Sequence, residues 1–482
     1  MTALDMPAPT LIEAKDALRQ HADRISIDPR TNSVFAYAQD LFRALEAEKI
    51  TLSDLDHTAQ SVFADLILAR AERFRRQHSE NTDLPTRLNT LAQQGWDAFQ
   101  TAMETPAGGV VFTAHPTFAL SRDARAAFAA HVSNMSEASA NALRAAISKD
   151  SRAWSQSISL LGEHDEAQDT ITHAQTALTQ YAHLVTDTAR RAFPDQWRRL
   201  KPSVPTLASW VGYDLDGRTD IHWSQSFALR LKEKAVQLSR YVTDLQSLIE
   251  QAEGATKDQL AALSDTLEAA ASLTEAEAEI FSEDLTQPEN LVHAANQLTA
   301  DQSDRLTHAQ PVIDQLRQIA LREDDDLLAQ SILVLAAKVD ALKLGTARIH
   351  LRLNAEQIRT VISRDLGLET ENRDFGRSAL KKLSELASVK TPHPVNFADL
   401  FLEQSTARRQ FMMCAQLLKH IDADSTIRFL IAESENPATV MGALYLARQY
   451  GVDHQLDISP LFETPEALET GGRFIEQLLE EP

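Results

Sequence analysis

The chain has 482 residues, 43% of them hydrophobic and 24% charged, enough for a large core or for two or three domains. A net charge of −22 repels phosphate backbones and anionic lipid. Nucleic acid and membrane surfaces are therefore not expected as partners, although a locally basic site can still take an anionic substrate.

The N-terminal stretch "MTALDMPAPTLIEAKD" has neither the basic start nor the apolar run of a signal peptide. No apolar run approaches the ~18 residues of a membrane span. A soluble, cytoplasmic chain is expected. Most of the sequence reads as helix by its spacing, beginning with segments 36–76, 130–149 and 165–192. Flexible stretches are expected near 1–10, 77–87 and 390–396. Over 227–249, Leu231, Ala235, Leu238, Val242, Leu245 and Ile249 recur at spacings of three and four. Gly254 is read as the end of that helix. Thr256 with Gln259, and Thr274 with Glu277, read as capping boxes that open the next two. The single cysteine, Cys414, excludes an internal disulfide, and its neighbours "FMMCAQLL" suggest a buried helix face.

Five short strands are predicted between the helices: "VVFTA" (110–114), "TLASWVG" (206–212), "ARIHLR" (347–352), "RFLIAE" (428–433) and "LDISPLFE" (456–463). The last two frame a helix, with Asn436 and Pro437 suited to its start and Gly451 to the residue past its end. Strand, helix, strand at that spacing predicts parallel pairing. The fold class expected is α/β but predominantly helical.

In parallel α/β architectures ligands sit at the carboxyl ends of strands. Here those ends carry His115, the loop "GYDLDGR" (212–218), Arg352 and Glu463. Each has two readings when taken alone. His115, fixed against Pro116, either bonds local backbone or acts in catalysis. Asp214 and Asp216 either brace a tight turn or bind a ligand. Arg352, on an otherwise apolar strand, needs an ion-pair partner or a cavity. Glu463 is either a helix N-terminal charge or a metal ligand. Together, an imidazole, a guanidinium and carboxylates suit an anionic substrate with a metal.

Taken in order, "TAHPT", "SWVGYDLDG", "IHLRL" and "PLFET" resemble the TAHPTE, SWMGGDRDGN, LDIRQ and PLFET motifs of the phosphoenolpyruvate carboxylase family, over nearly the whole chain. The resemblance implies an incomplete parallel (β/α) barrel. It also implies an enzyme that joins bicarbonate to phosphoenolpyruvate, giving oxaloacetate and phosphate, with Mg2+ or Mn2+. By that resemblance His115 is a catalytic histidine of the later carboxylation steps, and Arg352 a catalytic arginine facing the substrate anions. Arg122, Asp214 and Asp216 fall in substrate-binding motifs, and Glu463 matches a metal ligand. The sequence departs from the family at Phe118 and Ser121, at Tyr213, Leu215 and Arg218, and at His350 and Leu353.

The domain organisation expected is an N-terminal helical region over 1–107. Half of a helix-rich barrel then follows over 108–482, with a helical insertion at about 224–345. Five strands fall short of the eight that close a barrel. No glycine-rich phosphate loop is present. The chain is thus expected to be one half of such an enzyme, completed by a complementary C-terminal-half chain in an oligomer and inactive by itself. The alternative is a non-catalytic regulatory or scaffolding relative.

Overall fold

The computed structural model describes residues 11–23, 27–28, 30, 32–79, 83–106, 108–113, 120–149, 159–216, 221–367, 375–388 and 391–481. The stretch 1–10, expected to be flexible, and the predicted site residue His115 lie outside them, as do Phe118 and Arg218. The chain forms two compact units.

The first unit comprises Met1–Leu84 and His115–Ile158. Its helices are α1 (Leu11–Asp23), α2 (Ser33–Glu46), α3 (Leu52–Ser79), α6 (Arg122–Ser133) and α7 (Glu137–Ser148). Ile67, Leu68, Leu143 and Ile147 form its core with Ala64 and Ala124. The predicted helix over 36–76 is broken near Glu48, whose φ of 53° no α-helix accommodates. The predicted helix over 130–149 is interrupted where Ser136 opens α7 by accepting a hydrogen bond from the Ser139 amide at 3.2 Å.

The second unit comprises Pro85–Ala114 and Ser159–Pro482. It begins with α4 (Leu84–Ala92) and α5 (Trp96–Glu104), then β1 (Gly109–Phe112), α8 (Leu160–Ala192) and β2 (Thr206–Ser209). Five helices follow: α9 (Trp223–Ile249), α10 (Gly254–Phe281), α11 (Pro288–Thr299), α12 (Gln310–Arg322) and α13 (Asp326–Leu342). Then come β3 (Arg348–Asn354), α14 (Ala355–Leu366), α15 (Arg377–Ala387), α16 (Phe397–Leu402) and α17 (Thr406–His420). The unit ends with β4 (Ile427–Ala432), α18 (Pro437–Gln449), β5 (Leu456–Pro460) and α19 (Pro465–Leu479).

All five predicted strands form, and all pair in parallel in the order β1-β2-β3-β4-β5. Spatial order equal to sequence order is the winding of a barrel segment rather than of a doubly wound sheet. Gly109 is required at the first pairing, because a Cβ there would lie 2.2 Å from Thr206 Oγ1. On β3, Ile349, Leu351 and Leu353 are buried in the main core with Phe411, Phe429 and Ile431. The alternate residues Arg348, His350, Arg352 and Asn354 occupy the other face, which is the two-residue period of a strand. Cys414 is buried on α17, as expected.

Two helix-boundary readings are corrected. Gly254 does not end α9, which stops at Ile249; it is the first residue of α10. Thr256 and Thr274 do not open two helices, because α10 is continuous. Thr274 lies inside it and returns its hydroxyl to the Ala270 carbonyl at 2.7 Å. No helix among the described residues is long and apolar enough to cross a membrane.

Candidate active site

The loop after β2 is tied to the carboxyl end of β3. The Arg352 amide donates to the Tyr213 carbonyl at 3.2 Å, and the Leu215 amide donates to the Arg352 carbonyl at 3.0 Å. This strap, closed as a parallel bridge between Asp214 and Arg352, brings both loop aspartates beside the arginine. The turn needs glycine at 212: its φ is +92°, and a Cβ would meet Leu229 Cδ1 at 2.5 Å.

Arg352 sits at the centre of an acidic cage. Its guanidinium lies 3.0 Å from Asp216, 3.9 Å from Asp214, and 3.2 and 3.3 Å from the two oxygens of Glu463. The Trp210 ring lies 5.9 Å away. Glu433 joins from the end of β4: its amide donates to Glu463 Oε1 at 3.1 Å, and its carboxylate accepts from Asn354 Nδ2 at 3.0 Å. Asn354 Nδ2 also donates to Asp216 at 3.2 Å. Among the described residues, four carboxylates thus gather around one guanidinium and one amide.

Of the predicted site residues, the structure brings together Arg352, Asp214, Asp216 and Glu463. Arg122 lies in the first unit, where it opens α6 behind the cap Ser121. Sequence reasoning missed Asn354 and Glu433. Each stands at a strand's carboxyl end beside the motifs already singled out, so the strand-end rule was signal enough. Glu433 also holds a φ of 54°, unusual for a residue with a side chain.

A buried polar network supports the loop from below. The Tyr213 hydroxyl lies 3.4 Å from Glu233 of α9, which is also bound by His164 of α8 at 3.0 Å and by Arg230 at 3.0 Å. Arg230 further donates to Asp422 at 2.9 Å and to the Ala347 carbonyl, just before β3, at 2.9 Å. Burial pushes Glu233 up, but the His164 hydrogen bond and the Arg230 charge carry it below the ordinary carboxylate range. Burial holds the Tyr213 hydroxyl far above its usual range, with the Glu233 charge adding to the effect. Burial also brings Lys234 down to about 8, against the pull of Asp422 and Glu277. His350, on the Arg352 face of β3, is lowered to about 4 by burial and by Arg428 and Arg348.

Among the described residues, no group of three or more His, Cys, Asp or Glu side chains is arranged to hold a metal ion. Both Glu463 oxygens are turned onto Arg352. These residues alone do not fit a divalent cation centre. What the cluster offers is a guanidinium that can take an anion once its carboxylates let go.

The profile of the phosphoenolpyruvate carboxylase family matches residues 64–482. A phosphoenolpyruvate carboxylase of Tolumonas auensis is 22% identical over 303 residues, which is 58% of this chain and 32% of that protein. The match therefore spans about a third of the relative's own length.

Proposed function

The chain belongs to the phosphoenolpyruvate carboxylase family, and from that premise we propose that it supplies one half of a carboxylating active site. A second chain, or a further part of a longer protein, completes the site. The reaction is phosphoenolpyruvate plus bicarbonate to oxaloacetate plus phosphate. The observation that carries this reading is the convergence of Arg352, Asp214, Asp216 and Glu463 at the carboxyl end of one parallel sheet. Arg352 holds the substrate anion, with the Tyr213 and Leu215 backbone fixing its position. By the family resemblance alone, His115 is the proposed catalytic histidine of the carboxylation steps and Arg122 a proposed substrate-binding residue. The family generally uses a divalent metal. Here Glu463 is the candidate ligand for Mg2+ or Mn2+; to serve as one it must give up Arg352, and the remaining ligands come from the completing half. Among the described residues β1 and β5 each pair with a strand on one side only, which supports the need for a partner.

The test is co-expression with the product of the neighbouring reading frame, followed by an assay of bicarbonate-dependent oxaloacetate formation. The expected result is activity in the pair, lost in His115→Asn with assembly unchanged. Full activity from this chain alone sinks the split reading, and an inactive pair sinks the enzyme reading. One observation favours a second reading, a non-catalytic scaffolding relative: Arg352 already has its charge matched by carboxylates, which oppose an incoming anion. That reading expects His115→Asn to change nothing.

A further inference from the structure

We propose that the outward face of α19 docks a helix of another chain, amphipathic, with an apolar seam flanked by lysines and arginines. The proposal gives a surface and a chemistry to the partner inferred above and rests on that reading. The inward face of α19 is already satisfied: Ala467 and Phe474 are buried, and the Phe474 ring packs on Phe462 at 4.9 Å. On the outward side Leu468, Ile475 and Leu479 are 71%, 47% and 80% exposed. With Gly472 they fall at spacings of four, three and four, the repeat of a two-helix seam rather than of scattered surface leucines. Gly472 faces open space on the same side, since a Cβ there would meet nothing within 4 Å.

Charge decides the occupant. Glu466, Glu469, Glu476, Glu480 and Glu481 lie along or just past this helix, against the single cation Arg473. A second copy of α19 would set one acidic rim against another, a like-charge arrangement that interfaces avoid. A seam with basic flanks is complementary. Thr464 caps α19 one residue after Glu463, so a helix seated here adjoins the element that carries the Arg352 cage.

The probe is a synthetic helical peptide of about three heptads with Leu at the seam positions and Lys on both flanks. Its control carries Glu on the flanks. Each is titrated against the full chain by fluorescence anisotropy. The expected result is binding of the Lys peptide about ten-fold or more tighter than the Glu peptide, weakening as salt rises. Ile475→Glu, at an exposed position, is expected to cost about ten-fold in affinity with an unchanged melting curve. The sign matters: this variant adds negative charge, so attraction without seam docking would strengthen. Equal binding of the two peptides, undiminished binding to Ile475→Glu, or a self-dimer abolished by Ile475→Glu each overturns the proposal. Peptide docking with an inactive assembled pair would defeat the carboxylase reading and leave this surface standing. An active pair unaffected by Ile475→Glu would do the reverse.

Discussion

Arg230→Met isolates the buried network as a structural element. Arg230 makes three contacts at 2.9–3.0 Å, to Glu233, Asp422 and the Ala347 carbonyl, and both carboxylate partners are buried. Methionine keeps most of the volume but leaves two carboxylates with reduced compensation. Glu233 retains His164 and Tyr213, while Asp422 retains the Leu344 amide at 3.2 Å. Removing one partner of a buried ion pair costs roughly 3–5 kcal/mol. The retained bonds argue for the middle of that range, about 4 kcal/mol. For a cooperative unit of about 350 residues, an unfolding entropy of ~2.1 cal/mol/K per residue turns this into a fall in Tm of about 5 °C. The assay is differential scanning calorimetry at pH 7. The triple variant Arg230→Met, Glu233→Gln, Asp422→Asn removes the charges together and is expected to recover at least half of the loss. A single variant that falls by less than about 1 °C, or a triple variant no better than the single, refutes the argument.

Arg352→Gln leaves Asp214, Asp216 and Glu463 facing one another, at an expected cost of about 1–3 kcal/mol. The loss should shrink as salt screens the repulsion, which melting curves at low and high ionic strength will read. His350 and His420 are both lowered from 6.5 to about 4, mainly by burial. The unfolded chain therefore takes up protons first as pH falls. Their contribution is present above pH 6.5 and is lost progressively between 6.5 and 4; urea titrations across that range should show the slope, flattened in a double His→Gln variant. Burial pushes the Cys414 thiol up to about 12. A thiol reagent at about pH 8 is then expected to label it only on unfolding, and rapid labelling of the native chain would contradict its placement.

The strands were legible because each is short, β-branched and bounded by helical spacing, and because β3 alternates strictly. The convergence of Arg352 with Glu463 followed from one rule about the carboxyl ends of strands. The cage around Arg352 was not legible. Whether Glu463 turns toward a cation site or toward an arginine depends on side-chain geometry across three strand ends, and spacing does not encode that. The capping boxes failed for a local reason. A threonine followed three residues later by glutamate opens a helix only where the preceding backbone is not already helical, and at Thr274 it is. Tyr213 appeared in the sequence only as a departure from a glycine, yet it anchors the site loop to Glu233, a contact 20 residues away on another element.

The order of the sheet also constrains how it is built. Each strand's neighbour is the next one in the chain, so the sheet can grow at a single edge as synthesis proceeds and never has to open for an insertion. The longest wait is between β2 and β3, whose paired residues stand about 140 positions apart. At ~5–20 residues per second that is roughly 7–30 s during which the β2 edge stays unpaired. Only two residue pairs join these strands once β3 arrives. A four-residue β2 offers nascent chains little edge to mispair with during that interval.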